Sequence, residues 1–417
     1  MRRTFVPLVA LLLLLAALAT ADLALAAPGQ GFCRDLRHRL VRGGGQASGL
    51  FVIEAGSGKA VCARAARKSR PLASNTKIFT TATALGRFGP DARLTTKVLA
   101  SGKVDRNGVL HGDLYLEGAG DPVLGSPAFY DAFLGLGTNL YALKRQIVAR
   151  AEIKSVSGRL YADDTIFDRL RGVADSGYAT SPYIGPLSGL SFNAGFGDSH
   201  AAAFSSDPAR LAARKLGAAL RGAGVAVKPE VALGDADDAQ THAIASVDSP
   251  TINAIVNSTD INSNNFFAEM LLKLLGAHYG SGGSTAAGAA VVEQYARGRG
   301  SSVHAVDGSG LTRANRASPL QVVRFLDGMR RTEVEDEFIG DLALAGHEGT
   351  VADRMHGTAA NGRCRVKTGT LTGVSNLSGY CFTGGKTMIF SVLMGSVGDL
   401  GLAHAEQDRI AAAVAAY

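Results

Sequence analysis

The stretch CRVKTGTLTGVSNLSGYC, Cys364 to Cys381, decides how this chain is read. It reads as two strands joined at Thr372-Gly373. If the arms pair there without a bulge, Cys364 and Cys381 face each other and can form a cross-strand disulfide. The first arm carries Lys367-Thr368-Gly369, the only such triplet in the sequence. Lysine and threonine offer a cation and a hydroxyl to a carboxylate. A glycine lets a substrate backbone lie against the strand. Alone, the triplet is equally readable as a polar strand end, and its meaning depends on what stands elsewhere.

Working outward, two further patterns precede it. Ser74-Asn75-Thr76-Lys77 opens the run SNTKIFTTATALGRFG, with Ser74 at the natural helix start and Gly89 near its end. Positions i and i+3 share a helical face, so this spacing sets the Lys77 amine beside the Ser74 hydroxyl. The helix N-terminus favours developing negative charge. A desolvated, neutral lysine can be the base that a serine needs to attack a carbonyl. Lys77 is the only one of the 12 lysines with a serine three residues earlier. The plain alternative is an N-cap serine beside a solvated lysine. Ser-x-Asn occurs downstream at Ser191-Phe192-Asn193 and at Ser263-Asn264-Asn265. The first lies in a loop or strand edge. The second opens the helical run FFAEMLLKLL, whose start can project polar side chains into a cleft, so Ser263 and Asn265 are the expected pair.

Around these points FCRDLRHRLVR reads as a short basic helix, and GLFVIEAGSGKAVCARA as two strands about Gly56-Ser57-Gly58. Between Thr95 and Asp248 the texture changes. Short strands such as LHGDLYLEG alternate with turns such as GAGDP and with the amphipathic run DPARLAARKLGAALRGAG. Residues 95–248 are therefore read as an inserted domain. Residues 27–94 and 249–417 are read as one domain, helical from Ser249 and ending strand, strand, strand, helix. A sheet built from both chain ends with helices packed on it is an α+β arrangement.

Residues 1–26 read as a secretory leader. Arg2 and Arg3 precede an apolar run, and Ala24-Leu25-Ala26 offers a small-x-small cleavage site before Ala27. Arg2-Arg3-Thr4-Phe5 hints at twin-arginine export. An uncleaved anchor is the alternative reading, and Asp22 interrupts the run against it. The expected location is periplasmic or secreted, with no membrane span after leader removal. Export permits disulfides, and Cys33, Cys62, Cys364 and Cys381 allow three pairings, of which Cys33–Cys62 with Cys364–Cys381 is the most local. Their spacing matches no zinc pattern. With 46% apolar and 19% charged residues, the chain can bury a core and is not of disordered composition. The net charge of +7 suits an anionic partner or a generally solvated surface. No stripe of basic and aromatic residues points to nucleic acid.

The three patterns stand in the order Ser-x-x-Lys, Ser-x-Asn, Lys-Thr-Gly, the set used by penicillin-interacting serine enzymes. With the flanks GDLYLEGAGDPVL (112–124), LSGLSFN (187–193), DGSGLTRANRASP (307–319) and GHEGTVADRM (346–355), the chain resembles the D-alanyl-D-alanine carboxypeptidase/endopeptidase family of low-molecular-mass class C penicillin-binding proteins. The resemblance implies a penicillin-binding/β-lactamase-like serine hydrolase fold. It implies a serine-type D-Ala-D-Ala carboxypeptidase or DD-endopeptidase acting on peptidoglycan stem peptides, inhibited by β-lactams, with no metal or organic cofactor. Ser74 would be the nucleophile and Lys77 its base. Ser263, with Lys367, would pass a proton to the leaving amine. Asn265 would orient Lys77 and hold a substrate amide. Lys367 and Thr368 would receive the terminal carboxylate, beside Gly369. The Ser74 and Thr370 amides would form the oxyanion hole. The DGSGL turn is read as structural, and His347 and His356 as surface residues. Two features depart from the family: Asn264 stands where Asp is usual, and the inserted segment is shorter than in large members. A β-lactamase and a catalytically silent wall-binding protein on the same fold are the alternatives. Class A β-lactamases need a glutamate-activated water, and no Glu-x-x-x-Asn lies between the second and third motifs. An ordinary esterase would not need a carboxylate-receiving Lys-Thr-Gly.

Overall fold

The structure, a computed structural model, describes residues 30–198 and 200–417. The leader read at residues 1–26 lies outside them. Helix α1 (Gln30–Gly44) buries Leu36 and Leu40 and turns its arginines outward. Strands β1 (Gly49–Glu54) and β2 (Lys59–Arg64) follow as an antiparallel hairpin. A 3-10 turn, Ala73–Asn75, then leads into helix α2 (Thr76–Phe88). Every residue of α2 from Thr76 to Leu85 is buried. A helix covered on all sides runs through a core instead of over its surface.

The chain next lays down β3 (Thr95–Ser101), β4 (Leu114–Glu117), helix α3 (Tyr141–Ala149), β5 (Leu160–Asp163), helix α4 (Pro208–Gly222), β6 (Val231–Leu233) and β7 (Thr241–Asp248). These strands make a mixed sheet in the order β6-β5-β4-β3-β7. Leu143 and Ile147 of α3 and Leu216 and Leu220 of α4 meet Val98, Leu116 and Leu160 in a separate hydrophobic cluster. The start of α4 follows local rules: Asp207 caps it by accepting from the Arg210 amide, and Pro208 occupies the first position. Phe129, Phe167, Ile184 and Leu187, from the connections, pack instead into the cluster that surrounds α2. Through them the connecting loops lie against the helical layer.

Helices α5 (Ile252–Ile261), α6 (Asn265–Tyr279) and α7 (Thr285–Arg297) pack around α2. Helix α8 (Pro319–Met329) lies between this layer and the first sheet, its Phe325 ring 4.5 Å from that of Phe79. The chain closes with β8 (Ala343–Leu344), β9 (Cys364–Leu371), β10 (Val374–Thr383), β11 (Lys386–Gly395) and helix α9 (Leu400–Ala415). The strand order β8-β9-β10-β11-β1-β2 joins the two ends of the described chain in one antiparallel sheet. Helices α1 and α9 cover one face; α8 and the helical layer cover the other. The fold is thus the expected α+β arrangement of an antiparallel sheet flanked by helices, with an all-helical part.

β9 and β10 pair without a register shift, from Leu371 opposite Val374 to Cys364 opposite Cys381. The latter two form a disulfide across Cα atoms 4.0 Å apart. Cys33–Cys62 ties α1 to β2 across 5.1 Å. These are the local pairings read from the sequence. Among the described residues no helix is long and apolar enough to cross a membrane, and no group of three or more His, Cys, Asp or Glu side chains is placed to hold a metal ion.

Candidate active site

Ser74 occupies the 3-10 turn ahead of α2 and is not that helix's cap; Asn75 stands at the cap and makes no side-chain capping bond. The Ser74 hydroxyl is therefore not consumed by an N–H. Ala73, just before it, takes a left-handed backbone with φ 47°. A non-glycine residue held there costs about 1–3 kcal/mol and needs its surroundings to impose it. They do. Asn75 donates to the Lys367 carbonyl at 2.9 Å and accepts from Ser378 Oγ at 2.7 Å. Asn376 Nδ2 donates to the Leu72 carbonyl at 2.7 Å. The turn is thus fastened to β9 and β10 before any substrate arrives.

One turn into α2, Lys77 is fully buried. Its Nζ lies 2.7 Å from Asn265 Oδ1, 2.7 Å from the Ser309 carbonyl and 3.2 Å from Ser74 Oγ. Burial, helped by the charge of nearby Lys367, pushes the amine down from the usual lysine value to about 7. Lys367, also fully buried, is brought down to about 8 by burial, against the opposing pull of Asp260. Asp260 is itself buried, which raises its carboxyl to about 6 despite Lys367.

Asn265 is the first residue of α6, and the cap is Asn264, which accepts from the Phe267 amide at 3.1 Å. The middle residue of Ser-Asn-Asn therefore builds the helix start, a task that Asn and Asp perform equally well. This leaves Asn265 free to face Lys77. Its Nδ2 donates to the Tyr183 carbonyl at 3.2 Å. Ser263, with φ 55°, turns the chain just ahead of the cap and lines the same cavity as Ser74. Ser191-Phe192-Asn193 lies elsewhere: Asn193 Oδ1 accepts from the Ser126 amide, and Ser191 is buried.

On β9, Thr368 Oγ1 bonds Thr350 Oγ1 at 2.9 Å, and Lys367 Nζ donates to the Thr368 carbonyl at 3.2 Å. The space that the missing side chain of Gly369 leaves faces the Ser74 turn: a Cβ there would sit 2.9 Å from the Leu72 carbonyl oxygen, 3.0 Å from Asn75 N and 3.1 Å from Ser74 N. The residue lets the strand approach the Ser74 turn, while its backbone still borders the cavity.

Ser74, Ser263, Asn265, Thr368, Gly369 and Thr370 all open on one cavity of about 750 Å³. The far wall is the loop carrying Asp175, Ser181 and Tyr183, which the sequence reading did not single out. Buried Lys273 of α6 anchors the start of that loop through Asp168 Oδ1 at 2.6 Å and the Leu170 carbonyl at 3.0 Å. The DGSGL turn also comes closer to the chemistry than its structural reading implied. Buried Glu269 accepts from the Gly308 and Ser309 amides, and buried Asp307 from those of Gly310 and Thr312. Together they hold the Ser309 carbonyl against Lys77. Burial raises both carboxyls, and each is the other's like-charged neighbour. At Gly310, φ is +90° and a Cβ would stand 1.9 Å from the Ala73 carbonyl, so only glycine lets this turn abut the Ser74 turn. His347 and His356 are exposed, as expected.

Three comparisons bear on this arrangement. The D-alanyl-D-alanine carboxypeptidase of Actinomadura sp. (strain R39) is 30% identical over 455 residues, covering 89% of this chain and 82% of that protein. Penicillin binding protein 4 of Haemophilus influenzae superposes with a TM-score of 0.74 at 19% identity, over 92% of this chain and 98% of the other. A predatory endopeptidase of Bdellovibrio bacteriovorus, solved acylated by penicillin G and in complex with an immunity protein, gives a TM-score of 0.55 at 20% identity, over 87% and 90%. The family model described as the D-Ala-D-Ala carboxypeptidase 3 (S13) family matches residues 36–203 and 195–416. With nearly the whole described chain inside that match, the protein belongs to the D-Ala-D-Ala carboxypeptidase 3 (S13) family of serine peptidases.

Proposed function

We propose that this peptidase cleaves the D-Ala-D-Ala terminus, or the equivalent cross-link, of peptidoglycan stem peptides through an acyl-enzyme on Ser74, and that β-lactams inhibit it by forming a long-lived version of that adduct. The surroundings of Lys77 carry the reading. A neutral amine has two N–H bonds and one lone pair. The two short contacts of Lys77, to Asn265 Oδ1 and the Ser309 carbonyl, take both N–H bonds. The lone pair is left for the Ser74 hydroxyl. In this mechanism Ser74 Oγ attacks the penultimate D-Ala carbonyl as Lys77 takes its proton. The Ser74 and Thr370 amides receive the developing oxyanion. Lys367 and Thr368 hold the terminal carboxylate, and Ser263 returns a proton to the departing amine. Water then releases the acyl group.

In the same reading residues 27–94 and 249–417 form the catalytic domain and residues 95–248 the insertion. The leader exports the chain to the wall, where its two disulfides can form. Purified protein offered a monomeric pentapeptide and cross-linked muropeptides, with products weighed by mass, tests the proposal. Loss of one D-Ala marks a carboxypeptidase, and halving of the dimer an endopeptidase. Cleavage of neither, or equal cleavage by Ser74→Ala, would reject it.

A further inference from the structure

The net charge is not spread over the molecule. Residues 30–70 hold nine Lys and Arg against two Asp and Glu, whereas residues 71–417 hold 32 against 33. The basic excess of the described chain thus belongs to α1, the β1–β2 hairpin and the turn that follows. In space these form one belt. The exposed side of α1, opposite buried Leu36 and Leu40, carries Arg34, Arg37, His38 and Arg42, with one carboxylate among them, Asp35, paired to Arg39 at 2.6 Å. At one margin Arg37 reaches β2, donating to the Ala63 carbonyl at 2.8 Å. At the other, Arg39 and Arg42 meet Arg409 of α9 around a single buried carboxylate, Glu406, at 3.5, 3.4 and 2.7 Å. Arg67 and Lys68, both exposed, follow β2 in the turn whose Ala66 carbonyl accepts from the Leu320 amide of α8 at 2.9 Å.

Guarding an edge strand against pairing with another chain accounts for Lys59 and Arg64 on β2. It does not account for Arg34, Arg37 and Arg42, which lie on a helix. Nor does the belt stabilise the fold by ion pairing: among the described residues only Arg39, Arg42 and Arg409 of this group have carboxylate partners. Like charges held side by side on one helix face repel one another, a cost that a polyanionic surface would reverse.

We propose that this belt docks the protein on the anionic headgroups of a phospholipid membrane. Arginine pairs with phosphate through two parallel N–H bonds, and the belt is mostly arginine. The exposed side of α1 presents no large apolar residue, so the contact is with headgroups and without insertion into acyl chains. The sheet also keeps docking clear of the chemistry. The belt helices α1 and α9 cover one face of the first sheet, whereas the helical layer that carries Lys77 and Asn265 packs on the other. A docked molecule leaves its cleft open.

The test is sedimentation of the leader-free chain, residues 27–417, with vesicles of mixed phosphatidylglycerol and phosphatidylcholine, and with vesicles of phosphatidylcholine alone. It is repeated for the variant R34Q/R42Q/R67Q/K68Q of the same leader-free chain. The proposal expects at least tenfold more protein on the anionic vesicles, and loss of that excess in the variant with unchanged melting temperature and unchanged kcat/KM on a soluble peptide. The excess should also vanish as salt rises from ~0.1 M to ~1 M, where the screening length falls from ~10 to ~3 Å. Equal binding to both vesicle types, an excess retained by the folded variant, or binding to soluble polyphosphate with none to anionic vesicles would overturn it.

Discussion

The two buried lysines make the pH dependence of the reaction calculable. Lys77 is held near 7 and Lys367 near 8, in each case chiefly by burial. At about pH 7.5 a group with a pKa of 7 is ~75% neutral, whereas an ordinary lysine is ~0.1% neutral, so burial multiplies the available base ~600-fold. The signs follow from the roles proposed above, Lys77 as base and Lys367 as holder of the substrate carboxylate. As pH falls through 7, Lys77 gains a proton and loses the lone pair that Ser74 needs. As pH rises through 8, Lys367 loses the charge that holds the substrate carboxylate. The expected profile of kcat/KM for a soluble D-Ala-D-Ala peptide is a bell, with limbs near 7 and 8 and a maximum between them. The two charges interact, so the limbs belong to the pair as macroscopic values. Lys367→Arg, which stays cationic throughout, should lower activity at every pH and abolish the alkaline limb near 8. A profile that is flat between pH ~5 and ~9, or that climbs to pH ~10 as an unburied lysine would require, refutes the assignment of Lys77 as base.

Other perturbations read different parts of the site. Asn265→Ala removes one of the two acceptors of Lys77; a hydrogen bond to a charged or charging group is worth about 1.5–3 kcal/mol, so the acylation rate should fall ~10- to 100-fold with little change in melting temperature. Gly369→Ala puts a methyl group against three backbone atoms of the Ser74 turn; overpacking of this kind costs about 1–3 kcal/mol, and both stability and acylation should suffer. If the glycine served only to admit substrate, KM alone would rise and the melting temperature would hold. Removing the Cys364–Cys381 bond by a double change to Ser opens a loop of 17 residues, worth about 3 kcal/mol in guanidinium unfolding, and unchanged stability would count against its bracing of β9.

The sequence exposed what depends on short-range geometry. Ser74 and Lys77 are one helical turn apart, so their meeting needs only the helix. Cys364 and Cys381 are equidistant from Thr372-Gly373, so their pairing needs only an unbulged hairpin. What stayed hidden depends on contacts across the fold. The Ser309 carbonyl is 232 residues from Lys77, and it acts through its backbone, which no residue type announces. Glu269 sits inside an apolar helix run, where it reads as an exception until the Gly308 and Ser309 amides are seen beside it. The meaning of Gly369 also lay in its neighbours: the sequence offered a glycine, and only the packing reveals which side its open space faces. The charge of +7 suits an anionic partner or a generally solvated surface, and its clustering in residues 30–70 is written in the sequence. The continuity of that cluster across α1, β2 and α9 is not.

The central claim is that Ser74 is the acylated nucleophile. The most direct measurement is mass spectrometry of the intact protein and its peptides after brief exposure to penicillin G. The account predicts a stoichiometric, slowly lost adduct on the peptide containing Ser74, absent in Ser74→Ala. An adduct on another residue, or rapid catalytic turnover of the drug with none retained, would contradict it.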